Sequence, residues 1–415
     1  MKSINLVMEA GKKDRGRETD PRSPVPSPPS FKTIPRPRSY KKNFLPMKYD
    51  YLIVGAGFAG CVLAERLASQ LNKKIIIVDK RDHIGGNAYD YFNEEGLLIH
   101  KYGPHWFHTN SQYIFDYLSK FTTWLMHEHR VRSCVEGKLY PIPINMDTIN
   151  QLYGLKLTKP EEVKAYLNSV REPIDQPANA EEWVLSKVGK DLYEKFFKGY
   201  TIKHWGIHPR NLAASVTARI PVRFNRDDRY FSDIYQGLPR HSYATLFENM
   251  LNHKNITVLL NTDYRTVQND IRFNKIIYTG PIDEFFDSMF GELPYRSIRF
   301  EHEVINKEYY QRFQQINYPN THDFTRIIEV KHATGQKHSR TVITREYSCA
   351  PVENNHEKYY PIPNEANREL YQQYKKQAQK LKNVIFCGRL AEYQYYNMDQ
   401  VVARALHIFE KHLAK

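Results

Sequence analysis

The chain first turns apolar at 49–54, ending in Leu52-Ile53-Val54, a short run that predicts a strand buried on both faces. At 61–68 the apolar positions switch to three- and four-residue spacing, which predicts a helix. A second unbroken run, Ile75-Ile76-Ile77-Val78, predicts another buried strand. Farther on, Thr158-Lys159-Pro160-Glu161 reads as a helix start with proline in its first turn, and the acids Glu181 and Glu182 suit the N-terminal dipole of another. The whole stretch 146–213 is helical in character. Runs at 325–331 and 341–344 predict strands, and 384–386 predicts a strand leading into a helix around 401–412. No apolar run approaches ~18 residues, so no membrane-spanning helix is expected.

Composition changes this picture in two places. With 415 residues and 41% apolar positions the chain is long enough for two or three packed domains. Its net charge of +14 raises the question of nucleic acid, but residues 1–46 hold 11 Lys and Arg against 4 Asp and Glu, half of the excess. The same segment carries 8 of the 23 prolines and shows no periodicity, so a basic, disordered extension is expected there, ending before Met47. Its acids Glu9, Asp14, Glu18 and Asp20 and its lack of an apolar core fit neither a transit peptide nor a secretory signal. The remaining surplus favours anionic ligands without requiring DNA. Four scattered cysteines, with no C-x-x-C pair, argue against a disulfide framework or structural zinc and suggest a reducing compartment.

The densest chemistry lies between the first two strands. Gly55-Ala56-Gly57-Phe58-Ala59-Gly60 joins strand to helix, and Asp79 closes the second strand 22 residues after Gly57. The glycines allow a tight turn, backbone approach to a pyrophosphate and close helix–strand packing, while the acid is placed for a ribose hydroxyl. A second glycine pair, Gly85-Gly86, followed by Asn87, is unnecessary for NAD and suits FAD. Downstream, Gly103-Pro104-His105-Trp106-Phe107-His108 holds two histidines three apart; a loop in contact with flavin or substrate, a packed histidine pair and a metal site are all open readings.

From there the chain resembles the bacterial type of UDP-galactopyranose mutase over essentially all of 47–415. The resemblance is carried in order by Gly103–Asn110, Phe196-Phe197-Lys198-Gly199-Tyr200-Thr201 through Trp205-Gly206, Arg219-Ile220-Pro221-Val222-Arg223-Phe224 and Tyr230-Phe231-Ser232-Asp233. It continues through Tyr278-Thr279-Gly280-Pro281-Ile282-Asp283, Thr325-Arg326-Ile327-Ile328-Glu329, Lys358-Tyr359-Tyr360-Pro361 and Gly388-Arg389-Leu390-Ala391-Glu392-Tyr393. It implies an enzyme that interconverts UDP-galactopyranose and UDP-galactofuranose without net redox change, with N5 of reduced FAD as nucleophile at the anomeric carbon. Arg219, on a mobile loop, and Arg326 would hold the departing diphosphate. Phe196, Phe197, Tyr200 and Trp205 would supply stacking faces and walls, although such a cluster alone is more often core. Tyr230, Tyr360 and Tyr395 would bond phosphate or sugar, with Asn317 and His129 on the substrate side and His108 near both flavin and sugar.

On the cofactor side the same resemblance implies Gly55, Gly57, Ala59, Gly60, Asp79, Lys80, Gly86, Asn87, His105 and Trp106. It adds Arg296 near the FAD diphosphate, and Arg389 with Tyr396, Asn397, Met398, Asp399, Gln400 and Val401 around the isoalloxazine and ribityl. Three positions depart from the family pattern: Ile202 and His204 within the Tyr-Thr-x-Lys-x-Trp run, and Asn397 where Asp is usual. His108 matches members selective for galactose; arginine there accompanies the N-acetylated sugar. The implied fold is α/β: a discontinuous Rossmann-like FAD-binding domain (47–127, 232–285, 365–415), a helical domain (146–213) and an antiparallel β-sheet domain (128–145, 214–231, 286–364), with 214–231 including the mobile loop. Also implied are a cytoplasmic homodimer, an external or NAD(P)H-derived reductant, and a furanose product destined for surface polysaccharide. Two competing readings are an FAD oxidoreductase of the amine-oxidase type, which has no use for Arg219 and Arg326, and a basic nucleic-acid-binding protein, which lacks a recognisable motif in this chain.

Overall fold

The computed structural model describes residues 48–355 and 357–414, so the expectation for 1–46 lies outside the described residues. A five-stranded, all-parallel sheet organises one part of the chain. Its strands lie in the order Ile256–Leu259, Ile75–Val78, Lys48–Val54, Arg272–Tyr278 and Val384–Phe386. Every residue of Ile75–Val78 is buried, as the unbroken apolar run requires of a strand covered on both faces. Helix Phe58–Leu71 connects the first two strands in sequence and packs against the C-terminal helix Met398–Ile408. The chain therefore enters this sheet three separate times, and the last visit delivers the start of Met398–Ile408 to the glycine turn.

The second sheet has seven strands, in the order Tyr360–Pro361, Tyr295–Ile305, Thr341–Cys349, Arg326–Ile328, Gln315–Asn317, Val131–Val135 and Lys138–Ile142. All its pairings are antiparallel except one: Gln315–Asn317 runs parallel to Val131–Val135, because those two strands come from different passes of the chain. Asn317 pairs opposite Arg326, and Arg326 pairs in turn with Glu346, so three polar residues share one line across the sheet.

Between the passes lie the helices. Met146–Tyr153 is capped by the Asn145 side chain, Pro160–Val170 begins at its proline, and Ala180–Leu192 is capped by Asn179, whose oxygen accepts the Glu182 N–H. A π-helical turn, Tyr193–Lys198, then leads into the short helix Gly199–Trp205. Phe196 and Phe197 are buried in the core that joins these helices to Val131, Tyr140 and Ile142. Both phenyl rings thus pack within this core. Among the described residues no helix is long and apolar enough to cross a membrane.

Candidate active site

The glycine turn begins where Lys48–Val54 ends. Gly55 has φ +102°, a conformation that favours glycine, and a Cβ added to Gly60 would lie 2.0 Å from the Gly55 carbonyl oxygen. Gly60 therefore works from behind, letting the helix sit against the turn. The second glycine pair docks on the first: the Gly85 N–H donates to the Ala56 carbonyl at 2.8 Å, and a Cβ on Gly86 would come 2.9 Å from Gly57 Cα. Asp79 is buried, and its two oxygens accept the Ala56 N–H at 2.7 Å and the Arg81 N–H at 2.9 Å. Burial raises its pKa while those two bonds and the neighbouring cations pull it down. The acid expected only to meet a ribose thus also holds the turn in shape.

These residues wall a long cleft. Gly55, Gly57, Ala59, Asp79, Lys80, Gly86, Asn87, His105, Arg389, Met398 and Val401, all expected on the cofactor side, line it. Arg81, Thr262–Arg265, Glu357, Lys358 and Tyr359 line it too and were not foreseen. Arg81 donates to Glu357 at 2.7 Å with its guanidinium 4.3 Å from the Tyr102 ring centre. Side-chain-free backbone at Gly57 and Gly86, a helix N-terminus and a row of cations make a cradle for a dinucleotide pyrophosphate. The cleft fits a cofactor of that class.

Other expected cofactor residues lie elsewhere. Arg296 donates from Nε to the His204 carbonyl at 3.3 Å and from Nη2 to Ser348 at 3.1 Å, under Gly206, outside the lining of this cleft. Trp106 is buried and stacks on His129, ring centres 4.9 Å apart. His129 is itself buried between Trp106, Tyr230 and Phe231 and bonds Gln314. Tyr396, Asn397 and Gln400 line a second cleft together with Trp205, Arg219 and Tyr395. Asp399 is half-buried near His108.

Beyond the first cleft stands a cluster of rings and guanidiniums. Tyr360 and Tyr395 stack with centres 5.3 Å apart and an interplanar angle of 20°. Arg219 donates to the Tyr395 hydroxyl at 2.5 Å and lies 4.8 Å from its ring centre. Arg389, which lines the cofactor cleft, sits 5.1 Å and 5.4 Å from the rings of Tyr360 and Tyr395. Trp205 and His204 pack against Tyr360 from the helix side, and Tyr200 stacks on His204. Arg326 donates through Nε to Glu346 at 2.5 Å, and Glu346 is 1% exposed. Asn317, opposite Arg326, accepts from Gln315 at 2.9 Å. His108 bonds Asp233 at 3.1 Å and stacks on Phe231, centres 3.7 Å apart.

Glu346 and Asp233 are the polar partners that sequence reasoning missed. The positive charge of the site is permanent. Burial works against the Arg326 cation, but the Glu346 carboxylate beside it wins and holds its pKa above the ordinary value. The imidazoles go the other way: burial, with Arg389 and Arg326 nearby, pushes His105 down to about 4 despite its bond to the Gly103 carbonyl. At neutral pH the site thus presents guanidiniums beside the neutral imidazoles of His105 and His204, an arrangement suited to a diphosphate.

The stacked tyrosines are also unequal. Burial and the neighbouring Tyr395 push Tyr360 up to about 12; burial would raise Tyr395 as well, but Arg219 and Arg389 outweigh it and leave its pKa below the ordinary 10. A tyrosinate titration followed at 295 nm should therefore show an early step, below pH 10, that is absent in Tyr395→Phe and delayed in Arg219→Gln. An unchanged first step in both variants would show that Arg219 does not lower the Tyr395 pKa.

Residues 195–395 match the UDP-galactopyranose mutase family, and residues 53–121 match the NAD(P)-binding Rossmann-like domain. The chain is 38% identical over 369 residues to a probable UDP-galactopyranose mutase of Klebsiella pneumoniae, covering 88% of this chain and 95% of that protein. The chain belongs to the UDP-galactopyranose mutase family. A dTDP-fucopyranose mutase of Escherichia coli is 37% identical, covering 86% of this chain and 96% of that one. Among solved structures, a crystal structure of reduced UDP-galactopyranose mutase superposes with a TM-score of 0.71 at 16% identity, covering 88% of this chain and 96% of the other. Family membership makes the chain an enzyme, an isomerase of a flavin-dependent family.

Proposed function

We propose that this enzyme interconverts UDP-galactopyranose and UDP-galactofuranose, with FAD in the cleft formed around Gly57 and Gly86. The observation that carries the reading is Arg389: one guanidinium both lines the dinucleotide cleft and packs on the two tyrosines of the arginine cluster, so cofactor and nucleotide sugar meet at a common wall. A reduced FAD supplies an electron-rich N5 as nucleophile for the anomeric carbon when bound. The residues of this chain do the rest by placement and charge. Arg326, anchored by Glu346, and Arg219, anchored by Tyr395, bind the diphosphate and stabilise its charge as the bond to the anomeric carbon breaks. Tyr360 and Tyr395 add hydroxyl donors, Tyr200 and Trp205 wall the nucleotide and sugar, and His108 is held in orientation by Asp233 and Phe231. The bond from the anomeric carbon to the UDP oxygen breaks and re-forms, and the C1–O5 ring bond is exchanged for C1–O4 as the proton of the 4-hydroxyl is lost and one is gained at O5, so ring contraction needs no net oxidant.

A second reading, dTDP-fucopyranose as substrate, is favoured by the near-equal identity to the E. coli enzyme. Both are tested together. Purified flavin-loaded protein is incubated with UDP-galactofuranose or dTDP-fucofuranose, each with and without dithionite, and the products are separated by chromatography. Pyranose formation from the UDP sugar only under reduction is expected. Turnover of the dTDP sugar alone would move the assignment to the second reading, and no turnover of either by fully reduced protein would overturn both.

A further inference from the structure

Helix Gly199–Trp205 carries three rings of the site, Tyr200, His204 and Trp205, and, next to His204, Lys203. Its ammonium is seated in the turn between strands Gln315–Asn317 and Arg326–Ile328. It donates to the carbonyl of Tyr318 and, at 3.1, 3.3 and 3.1 Å, to those of Thr321, His322 and Phe324. The turn is shaped for this: His322 has φ +60°, and its ring stacks on Phe324 at 4.7 Å while Tyr318 packs edge-on against both. Four carbonyl dipoles converge on one cation, a stronger set than neutral donors would find there.

A second tie runs the opposite way. The Asn320 amide donates to the Lys195 carbonyl at 2.9 Å and the Glu194 carbonyl at 3.4 Å, and Gly199 gives it room: a Cβ there would lie 2.4 Å from Asn320 Oδ1. So the turn is bolted to the helical part of the chain at two points. The strands that leave it carry Asn317 on one side and Arg326 on the other.

We propose that Lys203 is a positioning residue, which fixes the distance between Arg326 and the Tyr200–Trp205 wall and so sets the width of the diphosphate-binding gap. This rests on the function proposed above. Without the ammonium the turn keeps Asn320 as its tie to the helical part, and the His204 carbonyl keeps its bonds from Arg296 and Ser348, so the helix stays on the sheet while the turn that leads into Arg326 is released at its nearer point. A methionine reproduces most of the stem of Lys203 without the charge, and an arginine retains the charge.

The test uses flavin-loaded wild type, Lys203→Met, Lys203→Arg and Asn320→Ala. Two quantities are read: hydrogen exchange of the 318–325 amides, and UDP affinity from quenching of tryptophan fluorescence. Lys203→Met is expected to speed exchange across the turn at least tenfold and weaken UDP about tenfold, with exchange in 131–135 unchanged. Lys203→Arg should recover UDP affinity to within about threefold of wild type, and Asn320→Ala should show the same two effects at smaller size, which decides the matter should Lys203→Met not fold. Faster exchange with unchanged UDP affinity would reduce Lys203 to a structural bolt and overturn the proposal, as would an unchanged turn. Failure of wild type to bind UDP would instead overturn the proposed substrate, with the exchange arm still deciding whether the bolt exists.

Discussion

Replacing Arg326 with methionine is expected to lower kcat/KM for the nucleotide sugar by about 10³-fold, the scale seen when a charge-stabilising donor is taken from a transition state. The same change strands Glu346, buried and paired to Arg326 at 2.5 Å, and breaking a buried pair from one side costs about 3–5 kcal/mol. Activity and stability can be separated. In Arg326→Met/Glu346→Gln the stranded charge is gone, so thermal stability should return most of the way to wild type while activity stays lost. Linkage gives a further signature. Burial already raises the Glu346 pKa against the pull of Arg326, and loss of the arginine raises it further. A carboxyl whose folded pKa lies above its unfolded value contributes stability below the unfolded value and loses it as pH rises through the folded one. Arg326→Met should thus lose Tm relative to wild type as pH rises from about 4.5 toward neutrality, and the double variant should not. Near-normal turnover in Arg326→Met would take the diphosphate role away from this arginine.

The second large effect concerns a single methyl group. Gly60 lies in helix Phe58–Leu71, where alanine is ordinarily favoured over glycine by about 1 kcal/mol. Here the new Cβ would meet the Gly55 carbonyl oxygen at 2.0 Å and Ile53 Cγ2 at 3.1 Å. Backbone cannot swing aside as a flexible side chain does, so the overlap outweighs the propensity. Gly60→Ala should be destabilised by about 3 kcal/mol or more and purify without flavin. Yellow protein with a wild-type melting temperature would show that strand and helix part easily.

How much of this was readable beforehand follows from the range of each interaction. The glycine turn, its helix and Asp79 were legible because a βαβ unit is local and each glycine has its own steric reason. The segment Thr262–Arg265 was not, since it reaches the cleft only after Ile256–Leu259 pairs outside Ile75–Val78, nearly two hundred residues away in sequence. Arg296 shows a different limit. On a strand, neighbouring residues face opposite sides; Tyr295 turns toward Asp283 and Arg296 toward Gly206, and a family motif does not say which side holds the cofactor. Phe196 and Phe197 lie in a π-helical turn, a local register that no apolar spacing announces. Arg326 was expected, yet its anchor Glu346 depends on the pairing register of two strands and emerges only in the folded sheet.

Arg389 donates to the carbonyls of Tyr396 at 2.6 Å and Tyr359 at 3.4 Å, and so ties the wall of one cleft to the floor of the other. A group shared in this way makes the two occupants thermodynamic partners. Whatever factor a nucleotide gains in affinity because the dinucleotide has already set Arg389, the dinucleotide gains from the nucleotide by the same factor. Coupling of this kind would be read as flavin retained more firmly in the presence of UDP than in its absence.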